Sequence, residues 1–148
     1  MKKILLITLS IFSIGIVSAQ TSNTNVVPAA AKSKMSTMYP AAKGVSWSQS
    51  AKGSFESAFT LNKQQCTATF ANTGEWVSTD FTITKAEFPQ AASTYLTNVG
   101  YTENVTRYYR TESKAQGTQY SADAKINGTM YTFIFDQDGN LVMRGLKD

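Results

Sequence analysis

The chain has 148 residues, a formal charge of +4, no histidine and one cysteine. These counts exclude an intramolecular disulfide, histidine-based general-base and triad catalysis, and Cys/His zinc sites. A charge this small, on scattered Lys and Arg, also excludes a nucleic-acid footprint.

Lys2 and Lys3 precede a largely apolar stretch, Ile4 to Val17, and Val17-Ser18-Ala19 offers the small residues that a signal peptidase reads. Residues 1–19 are therefore read as a cleaved signal peptide. The stretch is shorter than the ~20 apolar residues of a spanning helix, so no membrane insertion is expected after cleavage. Gln20 stands where a lipoprotein would need Cys. The expected product is a periplasmic or secreted domain of 129 residues, and loss of Lys2 and Lys3 takes its charge to +2. Residues 20–27 are small and polar and read as a flexible N-terminal segment.

Pro28 opens a helical stretch, since its fixed φ suits a first turn. Ala31, Met35 and Met38 share one face, and Pro40 ends the run. From Val45 the apolar period becomes two. Val45 and Trp47, then Phe55, Phe59 and Leu61, then Cys66, Ala68 and Phe70 alternate with polar residues. A further strand spans about 75–83, and the whole predicts an antiparallel meander with one buried face. A second helix follows. Thr84 and Glu87 have capping-box spacing, but Pro89 would then sit inside the helix, so the helix is expected to begin at Pro89. Ala92, Tyr95, Leu96 and Val99 form its apolar stripe. Strands are expected at about 101–111, 118–126, 129–136 and 140–146, with turns at Asn127-Gly128 and Asp138-Gly139-Asn140.

The two halves correspond in register. Phe55, Leu61, Phe70 and Gly74 each meet a counterpart 65 residues later, in Tyr120, Ile126, Phe135 and Gly139. This predicts a duplicated helix-plus-meander unit, about 28–83 and 84–148. Trp47 and Phe70 are expected in the core beneath the helices.

The pattern Pro28…Met35…Tyr39-Pro40-Ala41…Val45-Ser46-Trp47, then Phe55-x-Ser57-x-Phe59, then Phe70-x-x-x-Gly74-x-Trp76 and Phe88-Pro89, resembles the PepSY-like proteins. Tyr120 and Phe133-x-Phe135-Asp136-x-x-Gly139 extend the resemblance through the second half. These are small exported bacterial proteins grouped with the β-lactamase-inhibitor-like fold. The resemblance implies a single α+β domain over 28–148. Two tandem repeats would form one antiparallel sheet with helices packed on one face. It carries no catalytic residues with it.

No catalytic, metal or cofactor constellation stands out. Asp136-Gln137-Asp138-Gly139-Asn140 begins like a calcium loop, but Leu141 and Lys147 occupy the positions that need Gly and Glu, so a hairpin turn is expected. Glu56 and Asp123 lie on strands and read as solvated carboxylates. Arg107, Tyr108, Tyr109 and Arg110 form a small basic-aromatic run that strand alternation also explains. Cys66 reads as a small buried hydrophobe. The sequons at Asn104 and Asn127 have no role without a glycosylating host.

Alternation places Glu56, Thr60, Thr67, Thr69, Met130 and Thr132 opposite the core face. They form the candidate contact face of a non-enzymatic binding module with a protein partner. The sequence names neither the partner nor the oligomeric state. Two other readings stay open: a small-ligand binder with a pocket between sheet and helices, and an enzyme working through carboxylates alone.

Overall fold

The structure, a computed structural model, describes residues 26–147. The expected leader and cleavage site, and residues 20–25, lie outside the described residues. Among the described residues the order is α1 (Ala29–Met38), β1 (Lys43–Gln49), β2 (Phe55–Leu61), β3 (Gln64–Phe70), β4 (Trp76–Ile83), α2 (Gln90–Asn98), β5 (Val105–Ser113), β6 (Gly117–Ile126), β7 (Thr129–Phe135) and β8 (Leu141–Leu146). Eight strands form one antiparallel sheet whose spatial order is the chain order, β1 to β8.

Local chemistry sets the hairpins. The β2–β3 turn has Asn62 and Lys63 both at positive φ, 49° and 71°, and the β6–β7 turn has Asn127 and Gly128 at 50° and 84°. Two successive left-handed residues give the tight turn whose twist matches that of the strands. β4 and β5 are joined through α2, yet they pair over six registered positions, Ser78–Ile83 against Tyr108–Ser113. The sheet is therefore continuous across the two halves.

Both helices lie on one face. Ala31 and Met35 of α1 and Ala92 and Leu96 of α2 are buried against the sheet. Phe55, Phe59, Phe70 and Phe81 receive the first helix, and Phe133 and Phe135 the second. The helix entries rest on hairpin glycines. A Cβ at Gly74 would stand 2.9 Å from the Ala31 backbone N, and one at Gly139 would stand 2.9 Å from that of Ala92. Thr79 is fully buried, and its hydroxyl accepts from Tyr39 Oη and from Trp76 Nε1, each at 2.8 Å. This ties the end of α1 to β4.

Several expectations are corrected. Trp47 is only half-buried, because β1 is an edge strand and Trp47 lines an open groove facing α1; its ring meets Phe70 at 5.4 Å. Val99 is exposed because α2 ends at Asn98. Val27, placed in the flexible segment, packs against the core. The Thr84–Glu87 spacing is used, but on a 3₁₀ turn, Lys85–Glu87, ahead of α2. The Glu87 carboxylate accepts from the backbone N–H and hydroxyl of Thr84 at 2.8 and 2.9 Å. Pro89 then precedes the helix with φ −55°. A second 3₁₀ turn, Thr102–Asn104, delays β5 to Val105.

Candidate functional site

Side chains alternate across a strand, so the residues between the core positions form the opposite face of the sheet. That face is open to solvent and concave, with a volume of about 780 Å³. Its floor is polar. Thr67, Thr69, Thr82 and Thr111 supply hydroxyls, and Tyr109 and Ile134 supply apolar area. The charged side chains lining it are Glu56, Asp80, Asp123 and Lys147.

Four of the six expected contact residues, Glu56, Thr67, Thr69 and Thr132, line the concavity. Thr60 and Met130 share the face but stand at its margin. Thr60 Oγ1 accepts from Gln65 Nε2 at 3.3 Å, and the Met130 carbonyl accepts the Lys147 backbone N–H at 3.1 Å. The structure also brings in Asp80, Tyr109 and Lys147, which the contact face expected from the sequence does not include. Alternation from Thr79 and Phe81 would have placed Asp80 there. Nothing local marks Lys147, whose position depends on the pairing of β7 with β8.

Asp123 needs correction. It is not solvated: its side chain is 1% exposed. Thr132, its register partner on β7, donates to Oδ1 at 2.7 Å, and Lys147 Nζ pairs with Oδ2. A carboxylate taken out of water requires such partners. Asp80 is built the same way on one side. Its register partner Thr111 donates to Oδ1 at 2.6 Å. Among the described residues no cation pairs with it.

The basic-aromatic run on β5 is divided by the sheet. Tyr108 and Arg110 face the helices, where Tyr108 packs on Phe88 at 4.8 Å and Arg110 lies 4.6 Å over the Phe81 ring. Arg107 and Tyr109 take the other face. Cys66 is buried, and burial pushes its thiol up, as suits an inert side chain. Asp136 organises its own hairpin. Its Oδ1 accepts from the backbone N–H groups of Asp138 and Asn140 at 3.0 and 2.9 Å. These bonds, with those from the Asn140 side chain foremost, hold its carboxyl below the usual range. No group of three or more acidic, His or Cys side chains suited to a metal occurs among the described residues.

The centre of the core between sheet and helices is closely packed, while an open groove of about 460 Å³ lies between α1 and the edge strand β1, lined by Met35, Tyr39, Val45 and Trp47 among others. Phe70, Phe133, Phe135 and Leu96 are each at most 1% exposed. Among the described residues, no helix is long and apolar enough to cross a membrane.

An eight-stranded antiparallel meander with two helices on one face is an α+β architecture that matches the BLIP-like fold. Solved structures share this architecture. The chain is similar to a DUF2874 family protein from Bacteroides uniformis, at 20% identity and a TM-score of 0.73, covering 82% of this chain and 90% of that one. It is also similar to a BLIP-like protein from Bacteroides fragilis, at 16% identity and a TM-score of 0.70, over 82% and 86% of the two chains. A protein from Bacteroides eggerthii, provisionally described as periplasmic, matches at 19% identity and a TM-score of 0.73, over 82% and 89%. Neither a family model nor a curated protein matches the chain.

Proposed function

We propose that the protein is an exported, non-enzymatic binding module that engages a protein partner through the concave face of its sheet. The observation that carries this reading is the continuity of that face. Because β4 pairs with β5, outward side chains from both halves converge on one polar concavity of about 780 Å³. A surface of this kind accepts a protruding segment of another protein, with polar groups placed to fix its orientation. The small-ligand reading finds less support, because packed phenyl rings occupy the centre of the core and the groove left between α1 and β1, about 460 Å³, is open and smaller than the concave face. Export rests on the leader-like residues 1–19, and the provisional periplasmic description of the Bacteroides eggerthii protein agrees with it.

The same proposal includes descent from a duplicated unit and kinship with the PepSY-like proteins. Phe55 and Phe70 are register partners on β2 and β3, and their counterparts Tyr120 and Phe135 are register partners on β6 and β7. Gly74 and Gly139 receive the two helices at matching close approaches.

The test is a pull-down from envelope extracts with the mature protein, repeated with Thr67→Glu, Thr69→Glu and Met130→Lys combined. The three side chains are half-buried, and each new charge meets a like charge across the strands, Asp80, Glu56 and Lys125 in turn, so each substitution should cost up to about 1 kcal/mol, and circular dichroism checks that the variant is folded. The substitutions should abolish capture of the partner, because unpaired charge buried at an interface is costly. Retained capture by the folded triple variant would exclude this face.

A further inference from the structure

The concave face carries the same two-residue arrangement twice. On β6 and β7, Thr132 donates across the strands to Asp123 Oδ1 while Lys147 Nζ occupies Oδ2. On β4 and β5, Thr111 donates across the strands to Asp80 Oδ1 at 2.6 Å. Each Asp and its Thr are direct register partners. In the first pair an ammonium completes the carboxylate from within the chain. In the second pair, at the centre of the sheet, no cation of the described residues does so.

We propose that Asp80, held by Thr111, is the anchor for a lysine side chain presented by the partner protein, with Lys147 on Asp123 as its intramolecular template. This rests on the sheet-face reading above and adds the chemistry of the occupant. Charge on the face agrees with it. The concavity is lined by three carboxylates, Glu56, Asp80 and Asp123, against the one ammonium of Lys147. Its floor is thus negative although the chain as a whole is positive. Arg107 and Lys125 occupy the same face at the Asp123 end, as register partners of Asp123 and Met130. They lie outside the lining of the concavity and disfavour a second cation near Asp123 rather than at Asp80. The threonine fixes the carboxylate rotamer, so an incoming ammonium meets a pre-oriented acceptor. The ordering cost of the interaction is lowered accordingly. An ammonium on an ionised carboxylate is a charge-assisted bond, stronger than a neutral one.

The experiment is titration of the ¹⁵N-labelled mature protein with a tetralysine peptide at low salt, with tetraglutamate as control. Tetralysine should shift the amides of Asp80, Thr111 and Thr67, and tetraglutamate should not. Asp80→Asn preserves shape and the Thr111 bond, so it folds; it should weaken tetralysine binding by about tenfold, the usual loss for a charge-assisted contact. Lys147→Ala should add a second set of shifts at Asp123 and Thr132, because it frees the template pair. Binding that is indifferent to Asp80→Asn would overturn the proposal, as would shifts centred away from β4 and β5. No new shifts at Asp123 in folded Lys147→Ala would remove the template. These outcomes are separable from failure of the face itself. Absence of tetralysine shifts at Asp80 in the unsubstituted protein, with partner capture still abolished by the Thr67, Thr69 and Met130 substitutions, rejects the lysine and keeps the face.

Discussion

At the scale of residues, burial separates two aromatics that the sequence treats alike. Phe70 is fully buried beneath α1, and Trp47 leans on it from the edge strand. Phe70→Ala should cost about 3–5 kcal/mol. Trp47→Ala should cost about 1–2 kcal/mol, because less apolar area leaves water there. Urea denaturation of both variants measures the difference, and equal losses would mean that Trp47 is packed far more tightly than its exposure indicates. The polar counterpart is Thr79, which takes one hydrogen bond from the end of α1 and one from its own strand. Thr79→Val keeps the volume but leaves Tyr39 Oη and Trp76 Nε1 without their acceptor. A loss of about 1 kcal/mol is expected, the usual net worth of such bonds, because both donors are only partly buried.

Turns and helices show how much of the fold is legible before any coordinates. The order of helices and strands follows from period and punctuation, since Gly, Pro and Asn fix where the chain can reverse. What escapes depends on partners distant in the chain. Trp47 follows strand alternation, but its exposure depends on where α1 ends. Asp123 looks like any outward carboxylate until β8 returns Lys147 to it. The candidate face was legible for Glu56, Thr67, Thr69 and Thr132, whose neighbours alternate cleanly. Asp80 is harder to place, because on β4 a buried Thr79 and an exposed Val77 obscure the apolar alternation.

The helix-bearing turns make a further prediction. Gly74 and Gly139 have φ of 90° and 86°, and each abuts a helix backbone. An alanine there meets backbone strain of about 1–3 kcal/mol plus a collision that the helix must yield to. Gly53→Ala meets open space at φ 85° and carries the strain alone. Thermal melts should therefore place Gly74→Ala and Gly139→Ala together, below Gly53→Ala. If the three variants melt alike, the close approach contributes nothing.

Acid should act through the same class of elements. Glu87 and Asp136 are held below their ordinary carboxyl values, Glu87 by the Thr84 backbone bond first and Asp136 by the Asn140 side chain first. A carboxylate depressed in the folded state binds its proton more readily when unfolded. Its stabilisation is complete above the unfolded value, ~4.3 for Glu and ~3.9 for Asp, and is lost as pH falls through the lower folded value. Asp136→Asn should flatten the acid limb of a plot of Tm against pH while leaving the wild-type contribution of Glu87 in place. An unchanged acid limb would show that the hairpin carboxylate does not report on folding.

For the whole molecule, the governing feature is a sheet whose spatial order repeats its chain order. Every strand pairs only with its immediate predecessor and successor, so no pairing waits for a segment far ahead in the chain. Apart from the β4–β5 connection, which carries α2, these loop closures are short and entropically cheap, which favours fast folding. A chain delivered N-terminus first can add one strand at a time to a growing edge. β8 joins at the end of that sequence, and with it comes Lys147. The Asp123–Lys147 pair would then close after the rate-limiting step. Lys147→Ala should accelerate unfolding while leaving the folding rate nearly unchanged, whereas Phe70→Ala, between early strands, should slow folding. A chevron plot distinguishes the two, and a folding limb that falls in Lys147→Ala would place the last strand in the nucleus.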